Sequence, residues 1–96
     1  MAAYVIAEVE ITDPQTYPEY AKGVPGTIAQ YGGTYLVRGG AVDSKEGGWQ
    51  PKRLVILQFA SMEQARKWYA SPEYAPLLAL RHRTARTKLI FVEGVA

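Results

Sequence analysis

The sequence predicts an α+β fold: a βαββαβ sandwich in which a four-stranded antiparallel sheet carries both helices on one face. Three observations predict it. Stretches of strand period and helix period alternate in the order β, α, β, β, α, β. Start and stop signals stand at the expected junctions, so the element boundaries are written in local chemistry. At 96 residues, 48% hydrophobic and 21% charged, the chain has material for one core, a single domain over residues 1–96.

Tyr4 to Ile11 sets Val5, Ala7, Val9 and Ile11 against Tyr4, Ile6, Glu8 and Glu10, the alternation of a strand with apolar groups on both faces. Thr12-Asp13-Pro14 interrupts it, because Asp accepts from nearby amides and Pro presets φ for a turn. A helix follows: Tyr17, Tyr20, Ala21, Val24, Ile28 and Tyr31 recur at spacings of three and four along one stripe. Pro18 fits its first turn if Thr16 is the N-cap, whereas Pro25-Gly26 predicts a kink or loosened turn. Gly32-Gly33 ends the helix by supplying a left-handed residue, and Thr34 to Arg38 forms the second strand.

Gly39 to Pro51 is turn-rich and polar and reads as a long hairpin loop. Its glycine pairs do not make a phosphate cradle, since neither GxxxxGK[ST] nor GxGxxG spacing is present and the flanks run strand to strand. Arg53 to Phe59 is nearly all apolar, as a central strand should be. Ser61 and Gln64 stand at capping-box spacing and open a second helix, with Ala65, Trp68 and Tyr69 inward. Ser71-Pro72-Glu73 re-caps the chain, which divides that helix into two pieces, the second carrying Tyr74, Leu77, Leu78 and Arg81 on one face. Lys88 to Glu93 is the last strand.

Composition narrows the function. Without cysteine there are no disulfides, thiolate nucleophiles or cysteine-held metal clusters, and one histidine cannot build a multi-histidine site. No cofactor and no metal are therefore expected. The start of the chain has no signal-peptide pattern and no apolar run approaches the roughly 20 residues that cross a bilayer, so a cytoplasmic protein without membrane contact is expected. Arg81, His82, Arg83, Arg86 and Lys88 form a basic cluster, and RNA-recognition domains share the βαββαβ order. The third strand lacks the exposed aromatics of such domains, and the net charge is only +2, so no nucleic-acid partner is expected.

Two helices hide one face of the sheet. The other face would display groups such as Tyr4, Ile6 and half of the Leu54 to Phe59 run. Four or five such side chains left wet would forgo about 1.5–3 kcal/mol each, roughly 6–15 kcal/mol together, as much as a typical domain's entire stability. A second copy of the same sheet related by a two-fold axis is the simplest cover, which predicts a homodimer through the sheet face.

Several stretches carry a family resemblance: Asp13-Pro14 with Tyr17 and Tyr20, then Tyr31-Gly32-Gly33-Thr34-Tyr35-Leu36-Val37-Arg38-Gly39-Gly40, then Ser71-Pro72-Glu73-Tyr74 and Val92-Glu93-Gly94. Together they resemble domain-of-unknown-function family 1330 (DUF1330) of the dimeric α+β barrel superfamily, over nearly the whole chain. Pro18 departs locally from the pattern. The resemblance implies a ferredoxin-like fold and a dimer with facing sheets. It implies no activity, since superfamily relatives range from cofactor-free monooxygenases and muconolactone isomerases to haem enzymes and ligand-sensing domains.

A small-molecule site in this architecture belongs in the cleft between sheet and helices. Tyr17, Tyr20, Trp68, Tyr69 and Tyr74 offer aromatic faces there, and Arg38 and Arg53 stand at the strand ends beside the long loop. Tyr17, Tyr20, Arg38, Arg53, Trp68 and Tyr74 are the candidate ligand-binding residues, suited to a planar, carboxylated metabolite because Arg forks onto carboxylates and stacks on rings. The competing expectation is that the aromatics are core and the arginines pair with Glu8, Glu10 or Glu46. His82 is the candidate acid or base, the one side chain whose ordinary pKa lies near neutrality. The function expected is small-molecule binding, with cofactor-independent catalysis of a monooxygenase or isomerase kind as its extension; the alternative is an interaction domain without catalysis.

Overall fold

A computed structural model describes residues 1–95. The elements are β1 (Ala3–Ile11), α1 (Tyr17–Gln30), β2 (Thr34–Arg38), β3 (Leu54–Phe59), α2 (Met62–Tyr69), α3 (Ala75–Thr84) and β4 (Ala85–Glu93). The strands form one antiparallel sheet in the order β2-β3-β1-β4, which is the ferredoxin-like α+β arrangement. Ala3, Val5, Ala7 and Val9 of β1 are buried while Tyr4, Ile6, Glu8 and Glu10 are half-exposed, so the helices cover one face and leave the other open.

Local chemistry explains the helix ends. Asp13 Oδ1 accepts from the Gln15 and Thr16 amides, both at 3.2 Å, and the Asp13 carbonyl accepts from Tyr17 N–H at 3.0 Å. Thr16 is the N-cap of α1 by backbone position, but its side chain makes no capping bond; the preceding Asp takes up the orphan amides instead. At the other end Gly33 N–H donates to Ile28 O and Gly32 N–H to Ala29 O, at 2.9 and 3.0 Å, with Gly32 at φ 78°. That is a Schellman closure, and it needs a residue without a Cβ in the left-handed position.

α1 continues through Pro25 and Gly26, where the sequence predicts a loosened turn. The missing proline amide frees the Ala21 carbonyl one turn earlier, and Arg38 Nη2 donates to it at 3.1 Å. A side chain from β2 thus replaces the absent helical donor. Ser61 caps α2 as expected, accepting from Gln64 N–H at 3.1 Å, and Ser71 Oγ accepts from Tyr74 N–H at 3.1 Å where the chain restarts toward α3. Two of the stretches that carry the family resemblance meet in space, as the Tyr31 hydroxyl donates to Glu73 at 2.7 Å, and Gln64 Nε2 of α2 donates to the Tyr31 carbonyl at 2.9 Å.

β4 begins at Ala85, three residues before the expected Lys88, because α3 passes into it without a loop. Arg86, Thr87 and Lys88 pair with Glu10, Val9 and Glu8 of β1. Their polarity disguises a strand whose ladder comes from its neighbour rather than from apolar alternation. The core joins Phe59, Trp68 and Tyr74, with Trp68 4.3 Å from Tyr74 and 5.5 Å from Phe59 between ring centroids. Rings packed this way contribute beyond their buried area.

Candidate functional site

Between the sheet and the helices lies a cleft with a cavity of about 40 Å³. At roughly 10–15 Å³ per water-sized group, this is room for a small polar headgroup, and anything larger must move side chains. Its floor is Val5, Ala7 and Val9 of β1 with Val55 and Leu57 of β3; α1 contributes Tyr17, Tyr20 and Val24 above them. Trp68 lines it from α2 and Arg81 from α3, and Tyr35, Arg38 and Arg53 line its β2–β3 end.

The placement of Arg38 depends on an irregularity. Residues 35 and 38 of an unbroken strand point to opposite faces, but the register of β2 on β3 shifts between Tyr35 and Val37. Tyr35 therefore sits opposite Leu57, and Arg38 opposite Val55, both cleft-lining partners. The Arg38 guanidinium carbon lies 4.7 Å from the Tyr35 ring centroid, a cation–π distance. Gly39, at φ 72°, follows at once, and a Cβ there would collide with the Arg53 guanidinium. This glycine makes room for the second arginine.

Arg81 is the deepest of the cations, only 4% exposed. Its Nη1 donates to the Tyr74 hydroxyl at 3.1 Å, and Tyr74 shares a 2.8 Å hydrogen bond with the Tyr20 hydroxyl. The Arg81 Nε and the Arg53 Nε are buried without a hydrogen-bond partner. Among the described residues no carboxylate lines the cleft, and Arg38, Arg53 and Arg81 make no salt bridge. The competing expectation, that the arginines pair with Glu8, Glu10 or Glu46, is not met by Arg38 or Arg53 among the described residues. The first two glutamates lie on the open face, where Glu8 accepts from Trp49 Nε1 at 2.6 Å and Glu10 meets Lys52 at 2.9 Å.

Burial raises the Tyr20 hydroxyl above the ordinary tyrosine range and pushes the Tyr74 hydroxyl well above it, so both are neutral phenols near neutral pH. Burial also raises Tyr35. For Arg81, burial acts to lower the pKa, but the electron-rich oxygens of Tyr74, Tyr20 and Tyr69 outweigh it and the balance is upward. The cleft therefore holds positive charge and hydroxyl donors together.

Of the residues the sequence nominates, Tyr17, Tyr20, Arg38, Arg53 and Trp68 line this one cleft. Tyr74 is fully buried behind it and adjoins it through its hydrogen bonds to Tyr20 and Arg81. His82 lies on the exposed side of α3 and does not line the cleft. Arg81 was not among the nominated residues, although it continues the inward stripe of Tyr74, Leu77 and Leu78; a cation on an apolar stripe is the signal that marks it. Among the described residues no group of three or more His, Cys, Asp or Glu is gathered as metal ligands, and no helix is long and apolar enough to cross a membrane.

Residues 2–95 match the model of a domain of unknown function, DUF1330. No curated protein matches the sequence. Among solved structures, a protein of unknown function from Rhodopseudomonas palustris is similar at TM-score 0.74 and 14% identity, over 99% of this chain and 83% of that one. A dimeric ferredoxin-like protein of unknown function from Jannaschia sp. CCS1 gives 0.73 and 10% identity, over 98% of this chain and 100% of that one. SnoaB, a cofactor-independent oxygenase from Streptomyces nogalater, gives 0.71 and 9% identity, over 99% and 94%. These likenesses establish the fold.

Proposed function

The chain belongs to the DUF1330 family, whose description carries no activity, and we propose from its own surfaces that it is a homodimer binding a small carboxylated, preferably aromatic, metabolite in the cleft of each protomer. The observation that carries the ligand class is the meeting of Arg38, Arg53 and Arg81 in one cleft with no carboxylate in its lining. A buried cation is costly unless something neutralises it, and an anionic ligand is what the cleft lacks. Tyr17 and Tyr35 supply ring faces for a planar body.

The open sheet face supports the dimer. Ile90 is 59% exposed, Leu36 51% and Val92 41%, and half-exposed Tyr4, Ile6 and Ile56 adjoin them in the sheet. Apolar side chains contiguous over one face are what self-association buries, and the Jannaschia neighbour is described as dimeric. A cofactor-independent reaction, the class named for the Streptomyces neighbour, is the catalytic form this binding would take. Turnover would draw on the bound compound's own reactivity, because the lining offers cations and phenols but no carboxylate, imidazole or thiol.

Sedimentation with a thermal-shift panel of phenols, quinones, lactones and carboxylates tests the reading. It predicts a dimer and a melting point raised chiefly by aromatic carboxylates. An intact dimer that responds to none of them would instead indicate an interaction domain without a ligand.

A further inference from the structure

Counting protons around the Tyr20–Tyr74–Arg81 chain assigns a direction to each hydrogen bond. Arginine has donors and no acceptor, so Arg81 Nη1 donates to the Tyr74 oxygen. Tyr74 is 0% exposed, and its own proton must find an acceptor inside the protein; among the described residues the Tyr20 oxygen at 2.8 Å is the one in reach. Tyr20 therefore receives a hydrogen bond from Tyr74, and its own proton has no acceptor among the described residues. Tyr20 lines the cleft. Arg81 lines it as well, and its Nε–H is buried without a partner.

We propose that the Tyr20 hydroxyl and the Arg81 Nε–H together form an oxyanion site in the cleft, which takes a carboxylate or phenolate oxygen of the ligand. The inference rests on the small-anion reading above and deepens it by naming the two atoms that receive the charge. An acceptor-only oxygen satisfies both orphan donors at once, whereas a hydroxyl or amide brings a hydrogen of its own. The chain behind Tyr20 matters too: a phenol that accepts from a phenol held by a guanidinium is polarised and donates more strongly. Tyr74 is thus a positioning residue, fixing which way the Tyr20 proton points.

The test uses 4-nitrophenol, whose phenolate is coloured, with benzoate and acetate as carboxylate probes. The wild-type protein should bind all three saturably and lower the pKa of bound 4-nitrophenol by about one unit, a tenfold preference for the anion. Tyr20→Phe removes one oxygen and keeps the ring; circular dichroism confirms that it folds. This variant should bind benzoate about tenfold more weakly and lose most of the nitrophenol shift. Tyr74→Phe leaves Tyr20 in place and should show a smaller loss of the same shift. Equal affinity and an equal shift in Tyr20→Phe would overturn the oxyanion site while leaving anion binding in the cleft intact. No saturable binding of any probe to the wild type would overturn the small-anion reading itself.

Discussion

On the open face of the sheet Glu8 accepts from the Trp49 indole and Glu10 stands between Lys52 at 2.9 Å and Arg86 at 3.8 Å, whereas on the covered face three arginines share a cleft without one carboxylate. The open-face pairs are exposed and screened by solvent, and such pairs add little to stability. They keep charge balanced beside a patch of Ile6, Ile90 and Val92. The cleft does the reverse: it keeps a cation in a place where charge is expensive, with Arg81 almost wholly withdrawn from water. A fold selected for stability alone would have filled that position with leucine or methionine. On the reading proposed above, the covered face binds the ligand and the open face carries assembly.

The largest effect expected on either side is on assembly. Ile90→Asp places a carboxylate on the exposed patch of each copy, so a two-fold contact meets the change twice; the dimer dissociation constant should rise about 100-fold or more in sedimentation, with the monomer fold retained. A dimer of unchanged affinity would mean that the patch is not the contact. Next comes Arg81→Met, which keeps the length of the side chain and discards its charge. Stability in the absence of ligand should increase by about 1 kcal/mol in urea unfolding, and protection by benzoate should vanish. A loss of stability would make Arg81 a structural residue and remove the asymmetry between the faces.

The covered face also predicts a response to alkali. Burial raises Tyr20 and Tyr74 above the ordinary value of 10.0, so the folded state holds their protons where the unfolded state has released them. Their contribution is complete below pH 10 and is lost progressively as the pH climbs beyond it. Of the seven tyrosines, these two should ionise only with unfolding, seen as a late rise in tyrosinate absorbance coincident with loss of circular dichroism. The smallest effect belongs to the open face. Lys52 holds the Glu10 carboxyl below its usual 4.5, chiefly through their hydrogen bond, and the stability linked to that shift fades as the pH falls through the acid range. Lys52→Ala should return Glu10 toward 4.5 in an NMR titration while the melting point at neutral pH stays within about 1 °C.

Much of the fold was legible because its signals are local. The capping serines at 61 and 71, the Gly32-Gly33 closure and the alternation of Tyr4 to Ile11 are each decided within a few residues, and the structure agrees with them. What was not legible depends on distant partners. The start of β4 is set by its pairing with Glu8 to Ile11, far away in sequence, while Arg86 to Lys88 by themselves look like the tail of a helix. The tolerance of Pro25 depends on a guanidinium arriving from β2. Likewise, the bulge that turns Arg38 into the cleft is a property of two strands rather than one. Arg81 stands in one basic cluster with Arg83, Arg86 and Lys88, and helical spacing from Tyr74 is what separates it from them.

The most direct test compares benzoate with benzamide, which share a ring and nearly a shape but differ in charge, in calorimetric titration of the wild-type protein. If the cleft is built for an anion, benzoate binds with one site per protomer and benzamide binds at least about tenfold more weakly. Equal affinity for the two, or binding of benzoate undiminished in Arg81→Met, would contradict the account.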